Sequence, residues 1–167
     1  MNKLLFFYTH KNYPYQDENF DHNIYWCEMI LKIVDRNNND IITLFEMEWD
    51  LRPFLDWFIS NKNSLLNESF IFKDLKISLA EFFHNYYDSE IEREEEEEEK
   101  IYEYRKRHGL RFALRGTAIK DYYIGLNNGK FEVSYFDNKD SSFRFYIDLE
   151  TFINDINEIS NKLLFKK

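Results

Sequence analysis

The sequence predicts an α+β protein, an antiparallel sheet packed with amphipathic helices. Three observations carry this. Apolar residues alternate with period two in several short runs and recur at helical spacing in others. The two kinds of run are grouped rather than strictly alternating, which speaks against a parallel βαβ sheet. Clusters rich in Asn, Asp and Gly stand where the runs change direction. At 167 residues the chain is expected to form one domain over 1–167.

Taken in order, "KLLFFY" over 3–8 suits a short first strand, and the polar, aromatic stretch Lys11 to His22, with Pro14, suits a loop. In 23–34, Tyr25, Cys27, Met29, Leu31 and Ile33 form an apolar side opposite a mixed one, the pattern of a half-buried strand. "DRNNND" over 35–40 is a turn, and 41–48 returns as the partner strand, giving a hairpin within 24–48. At Asp50 the period changes. Leu51, Phe54, Leu55, Phe58 and Ile59 share one helical face, Asp50 suits the N-cap, and Pro53 falls in the first turn, where its missing N–H costs nothing. This helix is expected over 51–62, with 64–68 extending or following it. "SLAE", Ser78 to Glu81, matches a capping box before a helix over 79–88 with Leu79, Phe82, Phe83, Tyr86 and Tyr87 on one face.

A break or mobile link is expected over 88–93, then a helix over 94–108 ended by Gly109. The last third is a three-stranded meander within 121–147: strands over 121–126, 130–136 and 142–147, the first two joined by the tight turn "NNG". In the middle strand Phe131, Val133 and Tyr135 form the apolar side, opposite Glu132 and Ser134. Asp148 then caps a helix over 149–164 carrying Leu149, Phe152, Ile153, Ile156, Ile159 and Leu163.

The net charge of −9 is concentrated. Residues 88–99 hold nine carboxylates against one arginine, a local −8, so the remainder is close to neutral. A uniformly acidic shell is therefore disfavoured, and the local patch is the feature to explain. The next turns carry a basic cluster, Lys100, Arg105, Lys106, Arg107, His108 and Arg111, with Arg115 beyond. It can neutralise the neighbouring glutamates and the C-terminal end of its own helix, or bind phosphate. The adjacent acidic segment disfavours nucleic acid.

Catalytic signatures are missing. Single Cys27 rules out an internal disulfide and a cysteine-rich metal site, and its mid-strand position suits a small buried hydrophobe. His10, His22, His84 and His108 form no i, i+4 pair, and no GxSxG, P-loop or GxGxxG occurs. His84, among aromatics, suits the edge of a core. No catalytic, cofactor-binding or metal-binding residue is predicted, and no cofactor. The apolar run at 4–8 is too short for a signal-peptide core or a membrane span, which points to a cytoplasmic protein with no membrane partner. The candidate partner-binding residues are Glu94, Glu95, Glu96, Glu97, Glu98 and Glu99, with Tyr102 and Tyr104, since aromatics beside a charged rim are what an interface hot spot uses. "EWDLRPFLDWF" over 48–58 offers a second recognition surface, Trp49, Arg52 and Trp57, or simply a capped amphipathic helix.

The blocks "WDLRPFLDWF…NSLLNE" and "YRKRHGLRFALRG…FEVSYFD" resemble segments of small uncharacterised bacterial proteins. In size, acidity, missing catalytic motif and Asn/Lys/Ile/Phe-rich composition the chain also resembles the immunity proteins of bacterial toxin systems, such as contact-dependent inhibition. That resemblance implies binding of a cognate, basic protein toxin without direct nucleic-acid binding. Alternatives are a phage or defence-system inhibitor, and an enzyme using His108 with Arg105 and Arg111 on a phosphate.

Overall fold

Strands β1 (Lys3–His10), β2 (Trp26–Val34) and β3 (Asp40–Asp50) pair antiparallel in that order. They are the first elements of a computed structural model that describes residues 1–14, 24–70, 76–138 and 140–164. The alternation read in β2 is the burial observed: Cys27, Met29, Leu31 and Ile33 are buried, while Trp26, Glu28, Ile30 and Lys32 are half-buried. β1 runs two residues beyond its expected end, and β3 extends to the start of the first helix. Register shifts beside Leu31 and Ile33 each insert one extra residue in β3, Leu44 and Ile41, and the first is why consecutive Leu44 and Phe45 are both buried there. The loop expected over 11–22 lies outside the described residues from Tyr15 on.

Helix α1 (Leu51–Asn67) begins where expected and is one continuous helix through 64–67. Asp50 Oδ1 accepts the Arg52 N–H at 3.1 Å as a cap and the Tyr25 N–H at 3.1 Å, tying the helix start to the sheet. Phe54 stacks on Phe6 at 4.5 Å and meets Phe45 edge-on at 5.8 Å. Ile59, expected on the buried face, is 38% exposed. Trp49 contacts Trp26, and Arg52 lies over the Tyr25 ring, so the "EWDLRPFLDWF" stretch is a capped helix with its aromatics engaged locally.

Helices α2 (Leu79–Asp88) and α3 (Glu95–His108) follow, then a 3-10 turn at Leu110–Phe112. Strands β4 (Tyr123–Asn127), β5 (Lys130–Tyr135) and β6 (Phe143–Tyr146) form the expected meander. Asn128 and Gly129 both have positive φ, 50° and 72°, as the two-residue hairpin turn requires. Helix α4 (Leu149–Leu164) is capped by Asp148, whose Oδ1 accepts the Thr151 N–H at 3.2 Å.

The α+β class is that expected, but the strands divide between two three-stranded sheets. Contacts divide the chain into two compact units, Met1–Ile59 with Asp148–Lys167, and Ser60–Ile147. The first holds β1–β3, the start of α1 and α4, with Phe58 against Phe152 at 5.2 Å. The second has its own core of Phe70, Leu79, Phe83, Ile101, Tyr104 and Tyr123. Among the described residues, no helix is long and apolar enough to cross a membrane.

Candidate functional site: an acidic and aromatic groove

The charge order of the glutamate-rich segment is the order an α-helix favours. Glu95 to Glu98 occupy the first turn of α3 and Arg105 to His108 the last, so each end carries the sign opposite to its share of the helix dipole. From Glu95 to Lys100 every residue is exposed. No apolar side chain is available before Ile101, and packing starts there, with Tyr104 and His108 on the same face. The N-terminal half of α3 thus stands in solvent, held by the C-terminal half.

Tyr104 requires a correction. It was expected beside Tyr102 on the partner surface, but it is fully buried and stacks between Phe83, at 6.1 Å, and His108, at 3.9 Å. A two-residue step in a helix turns a side chain by about 200°, so Tyr102 and Tyr104 face opposite ways. Tyr102 is 46% exposed.

The basic cluster is engaged locally. Lys100 pairs with Glu96 at 2.6 Å and Lys106 with Glu103 at 2.5 Å. Arg111 pairs with Asp121 at 3.1 Å, and Arg105 donates to the Tyr123 hydroxyl at 2.9 Å. Arg107 donates twice to Glu68, at 2.9 and 2.6 Å. His108 is completely buried: Nδ1 lies 2.9 Å from the Ile124 carbonyl and Nε2 3.3 Å from Glu68 Oε2. Both ring nitrogens therefore face an oxygen within the protein. Gly109 ends α3, with its N–H on the Arg105 carbonyl, but with φ −88° it uses no left-handed conformation. Glycine is required by space, since a Cβ would sit 2.9 Å from the Arg105 carbonyl oxygen.

Desolvation alone would raise the Glu68 carboxyl, but hydrogen bonds from His108 and Arg107 outweigh it and hold it at about 2, against an ordinary 4.5. A depressed folded-state value contributes stability above the ordinary carboxylate range and loses it as pH falls towards 2. Glu68→Gln should cost about 2 kcal/mol at pH 7. In urea titrations the gap between wild type and variant should narrow below pH 4.5; a gap constant with pH would refute the assignment.

A groove of about 760 Å³ lies between the end of α2, the irregular link 89–94 and the free half of α3. Tyr86, Tyr87 and Tyr102 supply its aromatic surface and Ile91 an exposed aliphatic one. Its carboxylates are Glu90, Glu92, Glu95, Glu98 and Glu99. Of the six predicted glutamates, Glu95, Glu98 and Glu99 therefore line it. Glu94 is the helix cap residue, without a side-chain capping bond, and Glu96 is tied to Lys100. Arg93 is the cation of the groove. Its guanidinium lies 3.8 Å from the Tyr86 ring centroid and donates to Ser89 Oγ and to the Ile91 carbonyl. Tyr87 and Tyr102 are likewise placed by cations, Arg105 at 4.5 Å and Lys106 at 5.3 Å from their rings.

Sequence reasoning missed Glu90, Glu92, Ile91 and Arg93 as groove residues, because the link has no periodicity to orient them. Tyr86 and Tyr87 were legible both on the apolar face of α2 and as aromatics flanking the glutamate run, and both line the groove. A smaller pocket, about 260 Å³, is bordered by exposed His84 and by Arg105, Asp121 and Tyr123, whose polar groups bond to one another.

Cys27 is buried at the start of β2, as its second residue. Burial, with a smaller effect of Asp50, pushes its thiol up to about 11, which suits a packed residue rather than a nucleophile. Among the described residues no three His, Cys, Asp or Glu side chains group as a metal site. The chain matches no protein-family model, no curated protein and no solved structure at a significant level.

Proposed function

We propose that the protein is a cytoplasmic immunity protein that binds a cognate basic toxin, a nuclease, and neutralises it by covering its active-site cleft. The observation that carries this is the placement of the glutamates. They stand out on an ordered, otherwise unpacked half-helix beside a groove with exposed Tyr87 and Tyr102. Carboxylates on a rigid support can take the positions of substrate phosphates, and complementary charge speeds association. An inhibitor of a phage or defence system would use the same surface. The phosphate-enzyme alternative has less support, because His108 is buried with both ring nitrogens engaged, and Arg105 and Arg111 are already bonded to neighbours.

Tagged protein used as bait in its native cells should retain a basic protein. With that partner, changing Glu94 through Glu99 to Gln should leave the fold intact, because exposed like charges contribute little stability. The association rate of the variant should fall. The wild-type rate should drop steeply with salt, as the Debye length shrinks from roughly 30 Å at 0.01 M to about 3 Å at 1 M. Tyr102→Ala should mainly speed dissociation, by about 1–2 kcal/mol. An association rate indifferent to both salt and the glutamates would exclude this surface as the docking face.

A further inference from the structure

Strand β1 is an edge of its sheet, paired with β2 on one side only. Lys11 donates to the Trp26 carbonyl at 2.9 Å, and the register runs unbroken from there to Lys3. Antiparallel ladders alternate, so Thr9, Phe7, Leu5 and Lys3 turn their backbone groups to β2, while Phe6, Tyr8 and His10 turn theirs outward. Asn2 belongs to the outward set, and its carbonyl accepts the Asp148 N–H at 2.9 Å. Further along, Phe6, Tyr8 and His10 have no backbone hydrogen bond on that side among the described residues. The other edge, β3, is guarded. Bulges at Leu44 and Ile41 interrupt it, and Asp40, Glu46 and Glu48 are exposed along it. β1 has neither a bulge nor a carboxylate.

We propose that β1 seats a second copy of this chain: two β1 strands pair antiparallel about a two-fold axis through Tyr8 and join their sheets into one. Tyr8 exchanges backbone bonds with Tyr8 of the other copy, and Phe6 with its His10, which uses the free groups of the edge in full. Phe7 and Tyr8 point to opposite faces of the sheet and are 50% and 37% exposed. Pairing covers both, setting Phe7 against Thr9 of the other copy and Tyr8 against Tyr8. No like charges meet, because Lys11, which pairs with Glu28 at 3.4 Å, stands opposite Leu5. The free stretch is thus complementary to itself about its own centre, the condition for a two-fold contact. A pair formed through β1 leaves only the guarded β3 edges, so assembly stops at two copies. A foreign strand on β1 would meet none of these symmetry conditions.

Sedimentation equilibrium of the whole protein from about 5 to about 500 µM should show a reversible monomer–dimer equilibrium, with a dissociation constant of about 10–100 µM for so small an interface. Association should strengthen as salt rises, because each copy carries −9. Tyr8→Pro removes an outward N–H and leaves the bonds to β2 in place, and Tyr8→Lys sets like charges on the axis. Each should weaken the dimer at least about tenfold, and Tyr8→Lys, at an exposed position, should keep the thermal stability of wild type. Mixed and oxidised, Phe7→Cys and Thr9→Cys should cross-link to each other more than either does to itself, since a non-hydrogen-bonded pair brings Cα atoms to about 4.5 Å. Cys27 is buried and adds no background. A protein still monomeric at about 500 µM, a dimer unchanged by both Tyr8 variants, or equal cross-linking in the mixture and in each variant alone would overturn the proposal. So would a different protein captured from native cells and lost with Tyr8→Pro, which would give the edge to a foreign strand. Toxin binding is expected to weaken with salt and to depend on Glu94–Glu99, so the two readings fail separately.

Discussion

Glu132→Ala should lower the stability of the second unit by about 3–5 kcal/mol, the range for stranding the partners of a buried charge. Glu132 lies in β5 with no exposed surface. Its Oε1 accepts the Leu79 N–H at 2.7 Å and the Ser134 hydroxyl at 3.0 Å. Its Oε2 accepts the Asn127 amide at 3.0 Å and meets Arg144 Nε at 2.6 Å. Three hydrogen-bond donors and one ion pair thus surround the carboxylate. The same cluster caps α2: Leu79 donates to Glu132, Ala80 to Ser134 Oγ at 3.1 Å, and Glu81 to Ser78 Oγ at 3.1 Å. Those are the first backbone donors of the helix, which have no partner inside it. Alanine leaves the Leu79 N–H without an acceptor, leaves the Asn127 amide only the Ile77 carbonyl, takes the carboxylate away from Arg144 and opens a cavity. Chemical denaturation of Glu132→Ala, Arg144→Ala and the double variant should give a coupling of about 2 kcal/mol between the two sites. A loss under about 1 kcal/mol for Glu132→Ala would mean that the cluster is solvated rather than structural.

Gly125→Ala should cost about 3 kcal/mol, at the upper end for overpacking a core. An added Cβ would lie 2.5 Å from His108 Nδ1 and 3.3 Å from Leu79 Cδ1. The imidazole cannot retreat, because Tyr104 stacks on it at 3.9 Å and its two nitrogens bond to Ile124 and Glu68. Gly129 gives the contrast. Its Cβ would meet nothing within 4 Å, but its φ is 72°, so Gly129→Ala pays only backbone strain, about 1 kcal/mol. If the ring is the obstacle, Gly125→Ala should cost much less in a His108→Ala background. Equal costs in both backgrounds would place the strain elsewhere.

Both positions mark the limit of the sequence. Glycine within "YYIGL" breaks a strand pattern, a general sign of a close approach, but nothing nearby says that the approaching group is an imidazole from α3. Glu132 was read opposite the apolar side of β5, and the alternation was real. Yet Glu132, Val133 and Ser134 are all buried, because the polar side of the strand faces the start of α2 rather than water. Period two says that two faces differ, not that the polar one is wet.

Local chemistry sufficed where a residue's partner is close in sequence. The Asn128–Gly129 turn, the Ser78 and Asp148 caps and the β2 alternation follow from φ preferences, side-chain capping and periodicity within about one helical turn. The dipole-matched charges of α3 belong to the same class, as does the exposure of Glu94–Glu99, since six adjacent carboxylates cannot be desolvated together. Tertiary structure alone decided the rest. It separated the strands into two sheets, turned Tyr104 inward and Tyr102 outward, and paired His108 and Arg107 with Glu68 some 40 residues away. It also gathered Tyr86, Arg93 and three of the six glutamates around one groove. Those outcomes depend on which surfaces meet, and pairings across such separations are set by the geometry of burial, which no local pattern encodes.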